Sequence, residues 1–281
     1  MDSIPAIFYE SVCTLLAEHS VKKLANLDFV ESVGVKHMER RHVFSISMRM
    51  DEEYQCSYLL YDLDGTPLPD EDLLKLDSRY SRIVYINLEY FKGAAHSFPL
   101  EIFEGVVLPR VRSLTVKCTF AQYWDGPNKR GFYDAFYEFF KDCRAFEELE
   151  IETFGGSSME FVKHQIASGR LKSLILNGAW IEECEELIRS HLISPSFKEL
   201  QIRRSKIELG FESISIFFER WLSGELREGM IQGKTAFRKG LLEELQPELK
   251  NFQKLEWQHT KNNTAFRVHY YDECAATFSI R

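Results

Sequence analysis

Phe146-Glu147-Glu148-Leu149-Glu150-Ile151, Leu171-Lys172-Ser173-Leu174-Ile175-Leu176 and Phe197-Lys198-Glu199-Leu200-Gln201-Ile202 repeat one pattern: an apolar residue, two positions, Leu, one position, and another apolar residue. The three leucines are 25 and 26 residues apart, room for one strand and one covering helix per unit. The same pattern, with Ile also accepted at the Leu position, recurs at Tyr80-x-x-Ile83-x-Tyr85, Val111-x-x-Leu114-x-Val116 and Phe252-x-x-Leu255-x-Trp257, with steps of 31, 35 and 55 residues to neighbouring copies. The last step is long enough to hide a further unit. If the units stack, Leu149, Leu174 and Leu200 lie side by side on parallel strands about 5 Å apart. Alternation turns Glu148, Glu150, Ser173, Ile175, Glu199 and Gln201 to the other face. That second face is the expected surface for a partner.

The stretches between the strands carry helical spacing: Phe132, Phe136, Phe139 and Phe140 after Gly126-Pro127; Met159, Val162 and Ile166 after Gly155-Gly156; Ile181, Cys184, Leu187, Ile188 and Leu192 before Pro195. Each strand thus has a helix to cover its apolar face, the physics of stacked repeats that bury one continuous core. The expected class is α/β: a short helical N-terminus (residues 1–41) and a β-hairpin region (42–76), then irregular leucine-rich-repeat-like strand-helix units (77–281). A compact mixed α/β sheet domain is the alternative. Residues 266–271 and 276–280 read as two terminal strands closing the run.

Upstream, Ile7 or Phe8, Val12, Leu15, Leu16, Val21, Leu24 and Leu27 recur at three- and four-residue steps, which predicts one or two amphipathic helices over 4–27. From Arg41 the texture changes. Val43, Ile46, Met48 and Met50, then Tyr54 to Tyr61 after Asp51-Glu52-Glu53, read as two strands of a hairpin.

The 281 residues, 44% hydrophobic and 28% charged, have ordinary globular composition. A formal charge of -8 argues against a nucleic-acid partner, which requires clustered positive charge to displace counterions. No run reaches the ~18 apolar residues of a membrane span, and Met1 to Val12 has neither the basic nor the apolar region of a secretion leader. A soluble chain with no membrane partner is expected. Cys13, Cys56, Cys118, Cys143, Cys184 and Cys274 are too scattered for a zinc site or a disulfide framework, so a reduced cytoplasmic or nuclear setting is expected, with no cofactor. His37, His42 and His164 lack a ligating neighbour and read as surface residues. The 22 phenylalanines read as core filling.

Leu59-Leu60-Tyr61-Asp62-Leu63-Asp64-Gly65-Thr66 resembles the first motif of haloacid-dehalogenase-type phosphohydrolases. The resemblance implies Asp62 as nucleophile and Asp64 as acid and base beside Mg²⁺. That chemistry also requires a later acidic motif, usually Gly-Asp or Asp-Asp, and the chain contains neither dipeptide. The competing reading, a turn made by Asp64-Gly65, is favoured.

Ile4-Pro5-x-x-Phe8-x-x-x-Val12-x-x-Leu15-Leu16, with Leu24 and Leu27 after it, is similar to the N-terminal F-box of nematode F-box proteins. Ile207-x-Leu209 followed by Ile214-x-x-Phe217-Phe218-x-x-Trp221-Leu222-x-Gly224 is similar to the F-box-associated domain of the same family, a strand followed by an aromatic helix ending in Trp-x-x-Gly. The resemblance covers residues 1–41 and, in pattern, 100–260. It implies a substrate receptor without catalysis. Ile4, Pro5, Phe8, Val12 and Leu15 would dock on a Skp-type adaptor of a cullin ubiquitin ligase, and the repeat region would hold a protein target. The same apolar residues could equally pack on the hairpin, and a free-standing repeat binding protein without adaptor docking is the other reading.

Overall fold

The computed structural model describes residues 6–15, 18–27, 31–50, 56–69, 80–90, 117–120, 146–153, 156–180, 184–245, 250–251, 255–271 and 275–281, and the positions 72, 75–77, 105, 134, 136–138, 140 and 141. The chain is mixed α/β and divides into two compact units, Met1–Asp125 with Asp142–Ala145, and Gly126–Lys141 with Phe146–Arg281. Among the described residues no helix is long and apolar enough to cross a membrane.

The first unit opens with α1 (Ala6–Leu15), α2 (Glu18–Leu24) and α3 (Glu31–Arg40). The first two realise the apolar spacing of 4–27. The third packs closely on the turn after α2, because Gly34 has no side chain: a Cβ there would lie 2.7 Å from the Cα of Ala25. Three residues further, on the same helical face, His37 is 1% exposed with its ring 4.8 Å from that of Tyr80. The expectation of a surface His37 is therefore corrected; the position is set by the face that Gly34 buries. His42 is exposed.

Strands β1 (His42–Met50) and β2 (Cys56–Asp62) form the expected antiparallel hairpin, in register from Phe44↔Asp62 to Met50↔Cys56. With β3 (Pro67–Leu68), β4 (Ser81–Tyr90) and β5 (Lys117–Phe120), the strand order in this unit is β5-β4-β1-β2-β3, and β4 runs parallel to both β1 and β5. The pairing of β1 with β4 slips between Phe44 and Ser45, leaving Val84 as an extra residue in β4. A bulge of this kind inverts the alternation beyond it. Ile83 and Ile86 are both buried and Tyr85 is half-buried, so the inward pairing of Ile83 with Tyr85 expected from the repeat pattern gives way to Ile83 with Ile86. The copy at 111–116 lies outside the described residues.

The second unit runs β6 (Glu148–Glu152), α4 (Gly156–Ala167), β7 (Ser173–Asn177), α5 (Glu185–Leu192), β8 (Glu199–Arg203), α6 (Phe211–Leu222), β9 (Gly229–Lys234), a 3₁₀ turn (Lys239–Glu244), β10 (Lys250–Asn251), β11 (Glu256–Gln258), β12 (Ala265–Tyr270) and β13 (Ala275–Ile280). The strand order is β6-β7-β8-β9-β13-β12-β11-β10. The first four are parallel and the remainder antiparallel. Leu149, Leu174, Leu200 and Ile231 stand opposite one another in a single row, each at most 1% exposed. Phe161 and Val162 of α4, Leu187, Ile188 and Leu192 of α5, and Ile214, Phe217, Phe218 and Trp221 of α6 supply the buried faces of the helices.

Two features of this unit differ from the repeat pattern. Of the copy at 252–257, residues 252–254 lie outside the described residues, and β11, which holds Trp257, is not a parallel strand: it pairs antiparallel with both β10 and β12. The unit hidden in the long step is β9. Its sequence, Gly229-Met230-Ile231-Gln232-Gly233-Lys234, lacks the pattern because Glu228 stands at the first apolar position and a glycine at the last. A Cβ on Gly233 would lie 3.1 Å from Leu209 Cδ1 and 3.4 Å from Ile202 Cβ, so neighbouring residues already fill the space.

The aromatic helix ends where its residues require. Gly224 adopts φ 84° and its N–H donates to the Trp221 carbonyl, the left-handed stop that glycine allows. Phe218, Trp221 and Trp257 gather around Phe266, with ring centroids 5.0, 5.7 and 5.8 Å from it. The indole N–H groups of these two tryptophans are satisfied: Trp221 donates to Thr264 Oγ1 (2.9 Å) and Trp257 to the Leu245 carbonyl (2.6 Å).

Leu174 is flanked by Leu149 and Leu200, so Leu174→Ala is expected to cost about 2–5 kcal/mol of unfolding free energy in urea titrations, through lost burial and a residual cavity. A second expectation concerns pH. His191 is fully buried beneath the Phe197 ring (5.1 Å), and its Nε2–H donates to the Glu199 carbonyl at 3.0 Å. Burial pushes its pKa down from 6.5 to about 4; the Glu199 carbonyl opposes the shift and the Arg220 charge adds to it. The fold holds this ring neutral, so its contribution is complete above pH 6.5 and is lost as the pH falls from 6.5 toward about 4, by roughly 1.4 kcal/mol per pH unit at most. His191→Gln should flatten that part of the stability-against-pH curve measured by thermal unfolding.

Candidate functional site

Two surfaces follow from the residues singled out in the sequence. On α1, Phe8 is 52% exposed with its ring edge-on to Tyr9 (5.8 Å), and Val12, one turn further, is half-buried. Cys13 points inward and is fully buried. This helix is tied down from two sides. Lys36 of α3 reaches Glu10 at 3.0 Å, and the Glu10 carboxylate, followed by Tyr80, holds that ammonium above the usual lysine range. Arg41 donates to the Cys13 carbonyl at 2.8 Å. The inward side is thus anchored by Cys13 and the two cations, while Phe8 is left facing out. Ile4 and Pro5 lie outside the described residues, and Leu15 closes α1.

The other surface is the second face of β6, β7 and β8. Three cross-strand rows stand on it: Glu148, Ser173 and Glu199; Glu150, Ile175 and Gln201; Glu152, Asn177 and Arg203. Hydrogen bonds knit these rows together. Ser173 Oγ donates to Glu199 Oε2 (2.7 Å), Gln201 donates to Glu199 Oε1, Arg203 Nε donates to Gln201 Oε1 (2.9 Å), and Asn177 Nδ2 donates to Glu150 Oε1 (2.7 Å). Arg203 also lies 3.6 Å from Glu150. Ser173, Asn177 and Gln201 are buried and Ile175 is half-buried. Read as surface positions, Glu150 and Gln201 would tolerate alanine at little cost. For Glu150 the bonding corrects that expectation: removing it leaves Nδ2 of the buried Asn177 without its acceptor, which costs more than a surface change, whereas removing Gln201 leaves the exposed Arg203, which water can reach. The spacing places these side chains on one face, but only the structure shows how far they consume one another.

The Asp62 motif is a turn. Asp62 Oδ1 accepts the N–H groups of Asp64 (3.0 Å) and Thr66 (2.8 Å), the backbone closes through Gly65 N–H to the Asp62 carbonyl and Asp62 N–H to the Thr66 carbonyl, and Gly65 takes φ 81°. The carboxylate that the phosphohydrolase resemblance makes a nucleophile is occupied in shaping the connection from β2 to β3. Among the described residues no group of three or more His, Cys, Asp or Glu is placed to hold a metal ion. Cys13 and Cys184 are buried and take part in no disulfide.

No protein-family model matches this chain, and a search of curated proteins finds no match.

Because Asp62 stabilises the turn through one carboxylate oxygen, Asp62→Ala is expected to lower stability by about 1–2 kcal/mol. Asp62→Asn, which retains an acceptor oxygen, should recover most of the loss. Urea unfolding of the two variants side by side checks this.

Proposed function

We propose that this chain is a non-enzymatic protein-recognition module that acts as a substrate receptor of a cullin-type ubiquitin ligase in the cytoplasm or nucleus. In this reading α1 to α3 form the F-box-like segment that docks on a Skp-type adaptor, and leucine-rich-repeat-like strand-helix units form the part that holds a target protein. The observation that carries it is Phe8. A large aromatic ring left half-exposed on a helix whose other side is anchored is unfavourable in water, and covering such a ring is what a protein interface contributes most. The three short helices and the aromatic helix that stops before Gly224 agree with the resemblance drawn from sequence, but the strand it expects at Ile207-x-Leu209 is only a single bridge, Leu209↔Thr235, and the strand before that helix is β8. The parallel register of β6 to β9 agrees with stacked units.

Affinity capture from a native extract tests the reading. The tagged chain is expected to co-purify a Skp-type adaptor and a cullin. Phe8→Asp combined with Val12→Asp should reduce that capture about tenfold or more, with the far-ultraviolet circular dichroism spectrum unchanged. A chain that folds and captures neither protein would be a free-standing binding module instead.

A further inference from the structure

We infer that the groove between the first turns of α5 and α6, in the second unit, is a docking site for a basic linear segment of a partner protein, which lays one arginine side chain into it. The groove holds about 150 Å³, half the ~300 Å³ at which small-molecule pockets begin and room for one long side chain of a larger ligand. The inference deepens the receptor reading, on which it rests for taking the bound segment as part of a target.

Its floor is apolar and fixed. Ile188 of α5 and Ile207 and Leu209 of the loop after β8 are at most 2% exposed, and Ile216 of α6 is half-buried. The loop is held at both of its apolar residues: Ile207 N–H donates to Ser205 Oγ (3.0 Å), and Leu209 N–H donates to the Lys234 carbonyl of β9 (2.7 Å). Between these two inward side chains, alternation turns Glu208 outward, where it lines the groove. An apolar floor beneath charged walls suits the stem and head of a long cationic side chain.

The charge of the walls selects the occupant. Glu185, Glu186, Glu208 and Glu212 line the groove against Arg189 alone. Arg189 is taken up by Glu212 at 2.7 Å, and the carboxylates of Glu185, Glu186 and Glu208 have no ion pair or hydrogen bond among the described residues. Arg204 and Lys206, the cations earlier in the same loop, do not line it. A helix start brings about half a positive charge, so two of them with Arg189 offset roughly two of the four carboxylates and the field stays negative. The carboxylates are also spread along the groove: among the described residues no three acidic, histidine or cysteine groups are placed to hold a metal ion. A planar guanidinium, with its fork of donors, reaches several such carboxylates at once, as a point cation does not. Basic neighbours on the same segment complete the match.

Fluorescence anisotropy with the full purified chain, and no adaptor present, tests the site. The probe is a labelled short peptide of glycine and serine around a central Arg-Ala-Arg. Saturable binding that weakens with added salt is expected. Affinity should fall about tenfold or more when citrulline, neutral and of similar shape, replaces both arginines, and when the chain carries Glu185→Gln with Glu208→Gln. Arg189→Gln, which releases Glu212, should tighten binding. Glu219→Gln, at an exposed position of α6 outside the groove, should leave it unchanged. All four substituted side chains are exposed, and circular dichroism verifies that each variant is folded. The inference is overturned if no saturable binding occurs, if the citrulline peptide binds as well, if the variant at Glu185 and Glu208 keeps full affinity, if Arg189→Gln weakens binding, or if Glu219→Gln costs as much. Displacement of the probe by spermine as readily as by unlabelled peptide would also overturn it, by showing a general cation-attracting surface. Adaptor capture by the same preparation, which reads Phe8, reports on the receptor proposal separately.

Discussion

Parallel pairing without a register error is the constraint on which the second unit rests. In β6, β7 and β8 the hydrogen bonds set Leu149 opposite Leu174 opposite Leu200, and Ile151 opposite Leu176 opposite Ile202. A slip of one residue would send every one of these side chains to the other face. It would also bring Glu148, Glu150 and Glu199 under the helices, where an unpaired carboxylate is far too costly to bury. Both faces therefore enforce the same alignment, one by burial and the other by the interlocked polar rows. The helices depend on that alignment in turn, since α4, α5 and α6 each bury an apolar stripe and none of these short elements would be stable in water without packing.

The parts of the fold legible in sequence are those where one residue pattern answers to one structural period. The leucine copies at 149, 174 and 200 recur at a near-constant step, β6 and β13 alternate cleanly, and the aromatic helix has both its stripe and its glycine stop. The features that escaped reading did so for local reasons. Val84 adds a residue to β4, and a periodic pattern cannot show an insertion that its partner strand does not share. In β9 the inward space at Gly233 belongs to Leu209 and Ile202, so the strand carries no residue there to be read. Residues 252–257 match the pattern by composition, but strand direction is decided by what the connection allows, and a short return after β10 admits only antiparallel pairing. His37 is polar by type and buried by position, because Gly34 sets the face of α3 that turns inward.

The candidate surfaces divide along the same line. That Phe8 and Val12 share a helical side is a matter of spacing; that Phe8 is left uncovered depends on where Lys36 and Arg41 hold α1, contacts between residues more than twenty positions apart. On the strand face, spacing groups six side chains, and the bonding among Ser173, Glu199, Gln201 and Arg203 shows a surface already satisfied from within. A partner meeting that face would exchange existing hydrogen bonds for new ones, which tends to confer selectivity with little net affinity.

The change of strand direction at β9 has a consequence for descent. β9 pairs in parallel with β8 on one side and antiparallel with β13 on the other. A duplicated strand-helix segment inserted anywhere between β6 and β9, or directly after β9, would find a parallel neighbour, because a copy of β9 offers β13 the same strand direction that β9 does. β9 therefore marks where the parallel part of the sheet could lengthen without reversing any strand of the antiparallel part.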